Sequence, residues 1–270
     1  MCVKCKQPSV GLQMNAQKLW IKRSLVLGAA LLACAAQALT LYRDGGYLYV
    51  TGTIQAGDDL LLKASHQEAP VRRLVLVNSP GGALLTSLRI AAWAEDLRLT
   101  TVAAGHCLSA CSLVFMAGER RQFAQAQAGQ MHLIGIHGPY SQRTGQFNPP
   151  GAGLMWSYYR SRMGEKFDAA VMEQAIYRMQ DPSGLLVVPG GGSEAGGPRP
   201  WYCPSIRAQR GPCTGLPDKD ALGLGLLTTA EPGLVRIPQE FGRGAEPVSF
   251  GSPPQESSAV AAHAVAPRWD

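Results

Sequence analysis

The stretch CLSACSLVFMAG, residues 107–118, decides how the rest of the sequence is interpreted. Small residues surround Ser109, an apolar segment of helical length follows, and Gly118 is a residue type at which helices end. Ser109 therefore stands where a turn becomes a helix. The first backbone N–H groups of a helix have no partner within it, so a hydroxyl at this point lies beside donors that stabilise developing negative charge. The stretch indicates a nucleophilic serine.

Two further motifs flank this segment, and each follows an apolar run. NSPGG, residues 78–82, comes directly after Leu74 to Val77, and IGIHGP, residues 134–139, has His137 at the end of a second apolar run. Buried strands bring the residues that follow them to one edge of a sheet, where sites form. A serine, a later histidine and a double glycine are the parts of a nucleophile, a base and an oxyanion loop.

The order and spacing of these motifs resemble the Clp-protease (ClpP-like) serine peptidases of the crotonase superfamily. The resemblance runs from Gly52 to Pro139 and resumes at DALGLGLL, residues 220–227, which is similar to that family's EA-x-x-x-GL segment. It implies an α/β fold, a ClpP/crotonase-like spiral of repeated β-β-α units. It also implies a serine endopeptidase that needs neither a cofactor nor a metal, acts on peptides or proteins, and belongs to a family in which homo-oligomers are typical.

The resemblance also assigns the site residues. Ser109 would attack the peptide carbonyl, His137 would be the general base, and the backbone N–H groups of Gly82 and Ala110 would hold the oxyanion. The nearest match to the family's aspartate is Asp181, which would fix the tautomer of His137 and stabilise its imidazolium form. Three other aspartates compete for this third role: Asp168, Asp218 and Asp220.

Two functions of other kinds stay open. The signal-peptide-peptidase branch of the superfamily uses a serine–lysine dyad, in which Lys166 would be the base, with a pKa lowered by burial. IHGP disfavours it, because that branch does not need the histidine. Alternatively, the chain is a ClpP-like protein without a working triad that binds peptides or serves in assembly. An acyl-CoA hydratase is disfavoured, because no pair of carboxylates stands near the oxyanion loops.

The distribution of charge excludes a nucleic-acid-binding protein. The formal net charge is +6, but residues 1–38 hold five basic residues and no acidic one. Without them, 25 − 5 = 20 basic residues stand against 19 acidic ones. The remaining chain is close to neutral and has no basic stripe that could neutralise phosphates.

Residues 1–38 have the order of a signal peptide, with Met14 as an alternative start. The charged pair Lys22-Arg23, the apolar run from Leu25 to Ala36 and the A-x-A sequence that ends at Ala38 predict a mature chain that begins at Leu39. Two alternatives stay open: Cys34 is lipidated, because LLAC is similar to a lipobox, or the leader is retained as an anchor. Only the lipidated form and the form with a retained leader would place the protein on a membrane. These two forms and the cleaved form all place the domain outside the cytoplasm, in the periplasm or secreted.

Four cysteines remain in the predicted mature chain, an even number that suggests disulfides in an oxidising compartment. Cys203 and Cys213 bracket nine residues and can pair locally. Cys107 and Cys111 lie within reach of each other around Ser109, but two small buried residues are an equal interpretation. A zinc site made of these two cysteines and His106 lacks a fourth ligand.

Apolar patterns predict one α/β domain over residues 39–235. The continuous apolar run of Arg73 to Val77 is typical of a strand covered on both faces, and the periodicity of Gly82 to Leu97 predicts a helix. A Gly/Pro-rich insert lies around residues 185–215, and within it Val188 to Pro200 is expected to be a loop that is not packed. Asp218 to Leu227 is expected to form a last short helix and a turn. Residues 236–270 are poor in residues that can be buried and are expected to be disordered.

Overall fold

The fold is described from a computed structural model of the chain. It describes residues 39–126, 131–141, 143–179, 184–190, 197–204, 213–238 and 241. The predicted signal peptide, Cys34 and most of the predicted tail lie outside these ranges. No helix in the described ranges combines the length and the apolar character that a membrane span requires.

The described residues form nine strands and five α-helices. The strands are β1 (Thr40–Asp44), β2 (Tyr47–Thr51), β3 (Arg73–Ser79), β4 (Thr100–Leu108), β5 (Arg120–Phe123), β6 (His132–Ile136), β7 (Leu185–Gly190), β8 (Trp201–Cys203) and β9 (Thr214–Gly215). The helices are α1 (Asp58–Glu68), α2 (Leu84–Asp96), α3 (Ala110–Met116), α4 (Pro149–Met163) and α5 (Ala169–Glu173). A short 3₁₀ turn (Gly164–Lys166) precedes α5, and a π-helical turn (Gln174–Arg178) follows it.

All nine described strands belong to one mixed sheet, in the order β1-β2-β3-β4-β6-β7-β8-β9, with β5 also paired to β4. The strands β2, β3, β4 and β6 are parallel to one another, whereas β1, β7, β8 and β9 are added in antiparallel fashion. Helices α1, α2 and α3 each follow or precede a parallel strand, as crossover connections require. The predicted α/β class and the strand–helix alternation are confirmed.

Strand β3 is buried on both faces, which explains its unbroken run of apolar residues. Leu74 and Leu76 point into the main core between the sheet and the helices. Val75 and Val77 point to the opposite face, where they pack with Tyr49 in a smaller cluster. Alternate residues of a strand face opposite sides, so a two-sided core needs apolar residues at every position.

Strand β4 divides its edge between two partners. Its first half, Thr100 to Ala103, pairs with β5, and its last three residues, His106 to Leu108, pair with β6. The chain therefore leaves β4 beside the strand that leads to His137. This division places the turn around Ser109 and the end of β6 at the same edge of the sheet.

Two segments differ from the sequence-based expectations. The loop expected over Val188 to Pro200 begins with a strand instead: Val188 is fully buried, and β7 pairs with β6 along its length. Asp218 to Leu227, expected to form a short helix and a turn, forms turns only. Glycines and prolines are concentrated in the middle of the insert. The apolar run Leu185 to Val188 at its start is long enough for one buried strand.

Part of the predicted tail packs against the sheet. Phe241 is buried in the smaller cluster, and its ring lies edge-on to that of Tyr42 with 6.1 Å between the ring centroids. Residues 242–270 lie outside the described ranges.

Arg121 joins the DALGLGLL segment to the sheet. Its guanidinium is buried and donates to the carbonyl groups of Gly118 at 3.0 Å, Gly225 at 2.9 Å and Leu226 at 3.2 Å. Burial, reinforced by the neighbouring charge of Arg162, lowers the pKa of Arg121 to about 10. The side chain thus provides donors for carbonyl groups that would otherwise be buried without partners.

Replacing this donor should destabilise the domain. We expect Arg121→Met to lower the free energy of unfolding by about 1–3 kcal/mol, because methionine fills space but leaves the carbonyl groups unpaired. The measurement is urea unfolding followed by tryptophan fluorescence. The matched control is Arg120→Met, which removes an exposed ion pair with Glu231 and should cost less than about 1 kcal/mol. Equal losses in the two variants would contradict the role assigned to Arg121.

Candidate active site

Ser109, His137, Gly82 and Ala110 all line one open cleft of about 670 Å³. The cleft lies where the chain leaves β3, β4 and β6, so each predicted motif contributes to it directly after its strand. Parallel strands direct their carboxyl ends to the same edge of a sheet, which explains why motifs separated by tens of residues converge. Ser109 and His137 are each partly exposed.

The double glycine lies against the turn that contains Ser109. Gly81 has a φ of 89°, and a Cβ added to it would lie 2.5 Å from the Leu108 carbonyl oxygen and 2.9 Å from the Ser109 Cβ. Gly82 has a φ of 144°, and a Cβ there would meet the backbone carbonyl of Ile54. Both positions combine a positive φ with a close backbone approach, and only glycine satisfies both conditions.

Asn78 and Ser79 hold the double-glycine loop in place. The Ser79 hydroxyl donates to the Gly52 carbonyl at 2.8 Å and accepts from the Gly81 N–H at 3.3 Å. Asn78 has a φ of 47°, and its side-chain carbonyl accepts from the His106 N–H at 3.3 Å. The side chains of Asn78 and Ser79 therefore bind backbone groups around the site and do not line the cleft, which Gly82 does.

Ser109 occupies a strained backbone conformation. It is the residue before α3, with φ 53° and ψ −127°, a region that costs a non-glycine residue on the order of 1–3 kcal/mol. Its N–H donates to the carbonyl of Gly135 in β6 at 2.8 Å. Such a conformation persists only when surrounding contacts hold it, and this hydrogen bond is one of them.

Two backbone donors at the cleft are left without acceptors. Among the described residues, neither the Gly82 N–H nor the Ala110 N–H has a hydrogen-bond partner within the protein, although both border the Ser109 turn. The Ser109 N–H is not available, because it is bonded to Gly135. The donors that remain are the pair that the sequence predicts for an oxyanion.

A disulfide encloses the Ser109 turn. Cys107, in β4, is bonded to Cys111, in α3, with the two Cα atoms 5.2 Å apart. The second predicted pair, Cys203 and Cys213, is also at bonding distance, with the Cα atoms 4.2 Å apart. Because the first disulfide uses both sulfurs, a zinc site with His106 would lack two of its three ligands.

Two supporting residues were missed by the sequence analysis. The Ser112 hydroxyl donates to the carbonyl of Ser109 and accepts from the hydroxyl of Tyr159, at 2.6 Å. Both side chains are fully buried, and burial raises the pKa of Tyr159 above its ordinary value, which keeps the phenol protonated as a donor. The signal was present, because a serine within the apolar run SLVFM needs a buried partner.

His137 is held in the tautomer that a base requires. Its Nδ1 lies 2.6 Å from the carbonyl oxygen of Gly138, which can only accept, so Nδ1 carries the proton and Nε2 is free to accept one. Burial lowers the pKa of His137 below its ordinary value, and the bond to Gly138 opposes this shift only in part. The ring of Tyr140 stacks beside the imidazole, with 6.0 Å between the ring centroids.

The competing candidates lie elsewhere. Lys166 is exposed on the 3₁₀ turn and donates to the Leu222 carbonyl at 3.0 Å, and it does not line the cleft. Asp168 caps α5 through the Val171 N–H, and Lys219 beside it lowers its pKa. Asp220 accepts from the N–H of Gly223 at 2.7 Å within the last turn.

Asp181 lies outside the described residues. Met179, the last described residue before it, accepts a hydrogen bond through its carbonyl from the Tyr140 hydroxyl. Asp181 follows two residues later in the sequence.

Comparisons with known proteins give structural likeness only. No protein-family description matches the sequence, and no curated protein matches it. One similar solved structure is a serine-to-alanine mutant of the 1510-N membrane-bound stomatin-specific protease, 15% identical over 51% of this chain and 72% of its own, with a TM-score of 0.37. Another is a lysine-to-alanine mutant of 1510-N with a substrate peptide, 15% identical over 51% of this chain and 68% of its own, with a TM-score of 0.35.

The two disulfides should differ in how much they stabilise the domain and in whether they affect Ser109. Removing the Cys107–Cys111 bond by double alanine substitution should cost about 2 kcal/mol of unfolding free energy, and removing Cys203–Cys213 about 3 kcal/mol, because the second closes a longer loop. Only the first should slow the reaction of Ser109 with a fluorophosphonate, because only that bond holds its turn.

The measurements are urea unfolding and the labelling rate in the folded protein. A labelling rate that falls equally in both double variants would show that the Cys107–Cys111 bond has no particular effect on the serine.

Proposed function

We propose that the chain is an extracytoplasmic serine peptidase of the ClpP/crotonase superfamily, in which Ser109 is the nucleophile and His137 the general base. The observation that carries the proposal is the shared cleft. A strained serine, a half-buried histidine with a free Nε2 and two unpaired backbone N–H groups line the same opening. Nucleophile, base and oxyanion donors are the parts that acyl transfer requires.

In the proposed reaction, Ser109 attacks the scissile carbonyl while His137 Nε2 takes the hydroxyl proton. His137 then gives that proton to the leaving amine, and a water molecule hydrolyses the acyl-enzyme by the same route. The lowered pKa of His137 keeps the imidazole neutral at pH 7, which is the form a base must have. The positive φ of Ser109 exposes its hydroxyl on a sharp turn between β4 and α3.

The oxyanion would bind to the N–H groups of Gly82 and Ala110. Backbone donors are already in place before the negative charge develops, so they need not reorganise during the reaction. One such donor is typically worth about 3 kcal/mol of the barrier. Support comes from Gly81, because a Cβ there would lie 2.8 Å from the Ala110 nitrogen, so the loop and the Ser109 turn are in contact.

The third member of the site has two candidates with different consequences. Asp181 remains the proposed aspartate, because Met179-Gln180-Asp181 is the nearest match to the family's aspartate motif. The Gly138 carbonyl already accepts from His137 Nδ1 and can set the tautomer, but a neutral carbonyl stabilises an imidazolium less than a carboxylate does. An aspartate would therefore add rate, whereas the carbonyl alone is sufficient for orientation.

A serine–lysine mechanism has no lysine to use in the cleft. The sequence after residue 38 contains three lysines. Lys63 pairs with Asp59 at 3.5 Å, Lys219 pairs with Asp168 at 2.8 Å, and Lys166 bonds a backbone carbonyl in the last turn. The extracytoplasmic location is supported by the two disulfides, since such bonds persist mainly in oxidising compartments.

The site should fail as a unit. We expect Ser109→Ala and His137→Ala each to lower the rate of hydrolysis of fluorescently labelled casein by on the order of 10³-fold or more, and the double variant to be hardly worse. Mass spectrometry should locate a fluorophosphonate adduct on Ser109 in the wild-type protein. A folded wild-type protein that neither hydrolyses casein nor reacts with the reagent would favour the peptide-binding alternative.

Two further variants test the choice of base and of the third member. Lys166→Ala should keep most of the activity. An inactive Lys166→Ala protein together with a fully active His137→Ala protein would establish the serine–lysine alternative. Asp181→Asn should lower kcat strongly with the fold intact, as judged by circular dichroism. An unchanged kcat in Asp181→Asn would leave the Gly138 carbonyl as the group that orients His137.

The labelling rate of Ser109 should fall on acidification with a midpoint below pH 6.5, the ordinary pKa of histidine. The base works only when neutral, and burial lowers the pH at which His137 becomes protonated. Tyr140→Ala should move this midpoint upward, because removing the stacked ring admits water to the imidazole. A wild-type midpoint at or above pH 6.5 would show that a carboxylate such as that of Asp181 outweighs burial in setting the pKa of His137. A labelling rate without any acidic midpoint would contradict the assignment of His137 as the base.

A further inference from the structure

A short loop directly after His137 forms one wall of the cleft. The Ser141 N–H donates to the Gln146 carbonyl at 2.8 Å, and the Asn148 N–H donates to the Pro139 carbonyl at 2.9 Å. The two arms of the loop are thus paired, and Arg143 lies at the tip between them.

The base of this loop is anchored twice. The Phe147 ring packs against the rings of Tyr140 and Tyr177, at centroid distances of 5.6 Å and 6.2 Å. The Asn148 side chain accepts from the Gly151 N–H at 3.2 Å and so caps the start of α4. The loop that carries Arg143 is therefore fixed to both the aromatic cluster and a helix.

Arg143 is the one permanently charged side chain among the described residues that line the cleft. The other polar side chains there are neutral at pH 7, including His137, whose pKa is lowered by burial. Within the described ranges the exposed Arg143 guanidinium has neither an ion pair nor a hydrogen bond. An arginine without a partner at the wall of an otherwise uncharged cleft is available to a ligand.

We propose that Arg143 is the specificity-determining residue of the cleft and binds a carboxylate of the peptide substrate. A guanidinium presents paired N–H donors that match a carboxylate in two parallel hydrogen bonds. The substrate class is therefore an acidic peptide, with the carboxylate supplied either by a Glu or Asp side chain or by the C-terminus. This inference rests on the proposed function for its cleavage consequence, but the recognition step does not require that the site be active.

Binding is measured first, with the Ser109→Ala protein, so that no probe is consumed. The probes are fluorescein-labelled decapeptides of alanine, leucine and serine that carry Glu or Gln at one position in turn. Each is prepared with a free C-terminal carboxylate and as the C-terminal amide. Fluorescence anisotropy should show about threefold to tenfold tighter binding of a carboxylate-bearing probe than of its neutral counterpart. The preference should shrink in 1 M NaCl, because salt screens an exposed ion pair.

The preference for probes that carry a carboxylate should depend on Arg143 alone. Arg143→Gln in the Ser109→Ala background should abolish it, Arg143→Lys should retain part of it, and Arg143→Glu should invert it. The matched control is Arg160→Gln, which removes the same charge from an exposed position of α4 that does not line the cleft. A Glu preference identifies a side-chain carboxylate and a free-acid preference identifies the C-terminus, and either outcome supports the proposal.

Cleavage of the same probes by the protein with Ser109 intact separates this inference from the proposed function. Cleavage without any carboxylate preference, or a preference that survives Arg143→Gln, would overturn the inference and leave the peptidase standing. Binding with an Arg143-dependent preference but without cleavage or fluorophosphonate labelling would overturn the peptidase and leave carboxylate recognition standing. If Arg160→Gln abolished the carboxylate preference as completely as Arg143→Gln, the preference would be an effect of net charge, and the inference would be overturned.

Discussion

The hydrogen bond from the Ser109 N–H to the Gly135 carbonyl is the interaction on which the candidate site depends. It joins the end of β4 to β6 two residues before His137, so the separation of serine and histidine is set by the register of two neighbouring strands. It also uses the N–H of Ser109 itself, which leaves the N–H of Ala110 without a partner at the cleft. A single backbone contact thus determines both where His137 lies relative to Ser109 and which amide of the turn is left for the proposed oxyanion.

Three further contacts hold the same turn together with this hydrogen bond. The Cys107–Cys111 disulfide closes it covalently, the Ser112 hydroxyl holds the Ser109 carbonyl, and the double-glycine loop packs against its outer side. The contacts come from α3, from β6 and from the loop after β3, and together they maintain a conformation that is unfavourable to serine. The buried Tyr159 completes the set, because its hydroxyl satisfies Ser112 and so prevents an unpaired polar group in the core.

Much of this arrangement is readable in the sequence, because it follows from strands that end at one edge. The apolar runs before NSPGG and IHGP are continuous, so their strands and the convergence of their ends could be predicted. The contact between Ser112 and Tyr159 could not, because it joins residues 47 positions apart through the packing of α4 on α3. Strand β7 was missed because its apolar residues are few and are followed by glycines, and only pairing with β6 makes them a strand. The bond from His137 to Gly138 depends on a ring rotation that no sequence pattern encodes.

The connectivity of the disulfides has a consequence for how the protein is made. The four cysteines after residue 38 allow three pairings, and the pairing found joins neighbours along the chain, at separations of 4 and 10 residues. A polypeptide that meets an oxidant from its N-terminal end can therefore form each bond as soon as the second partner emerges. In a chain exported as proposed, the order of synthesis would favour the native pairs without a later exchange of partners by an isomerase. The turn that holds Ser109 could then be closed before β6 and the loop that carries Arg143 have been made.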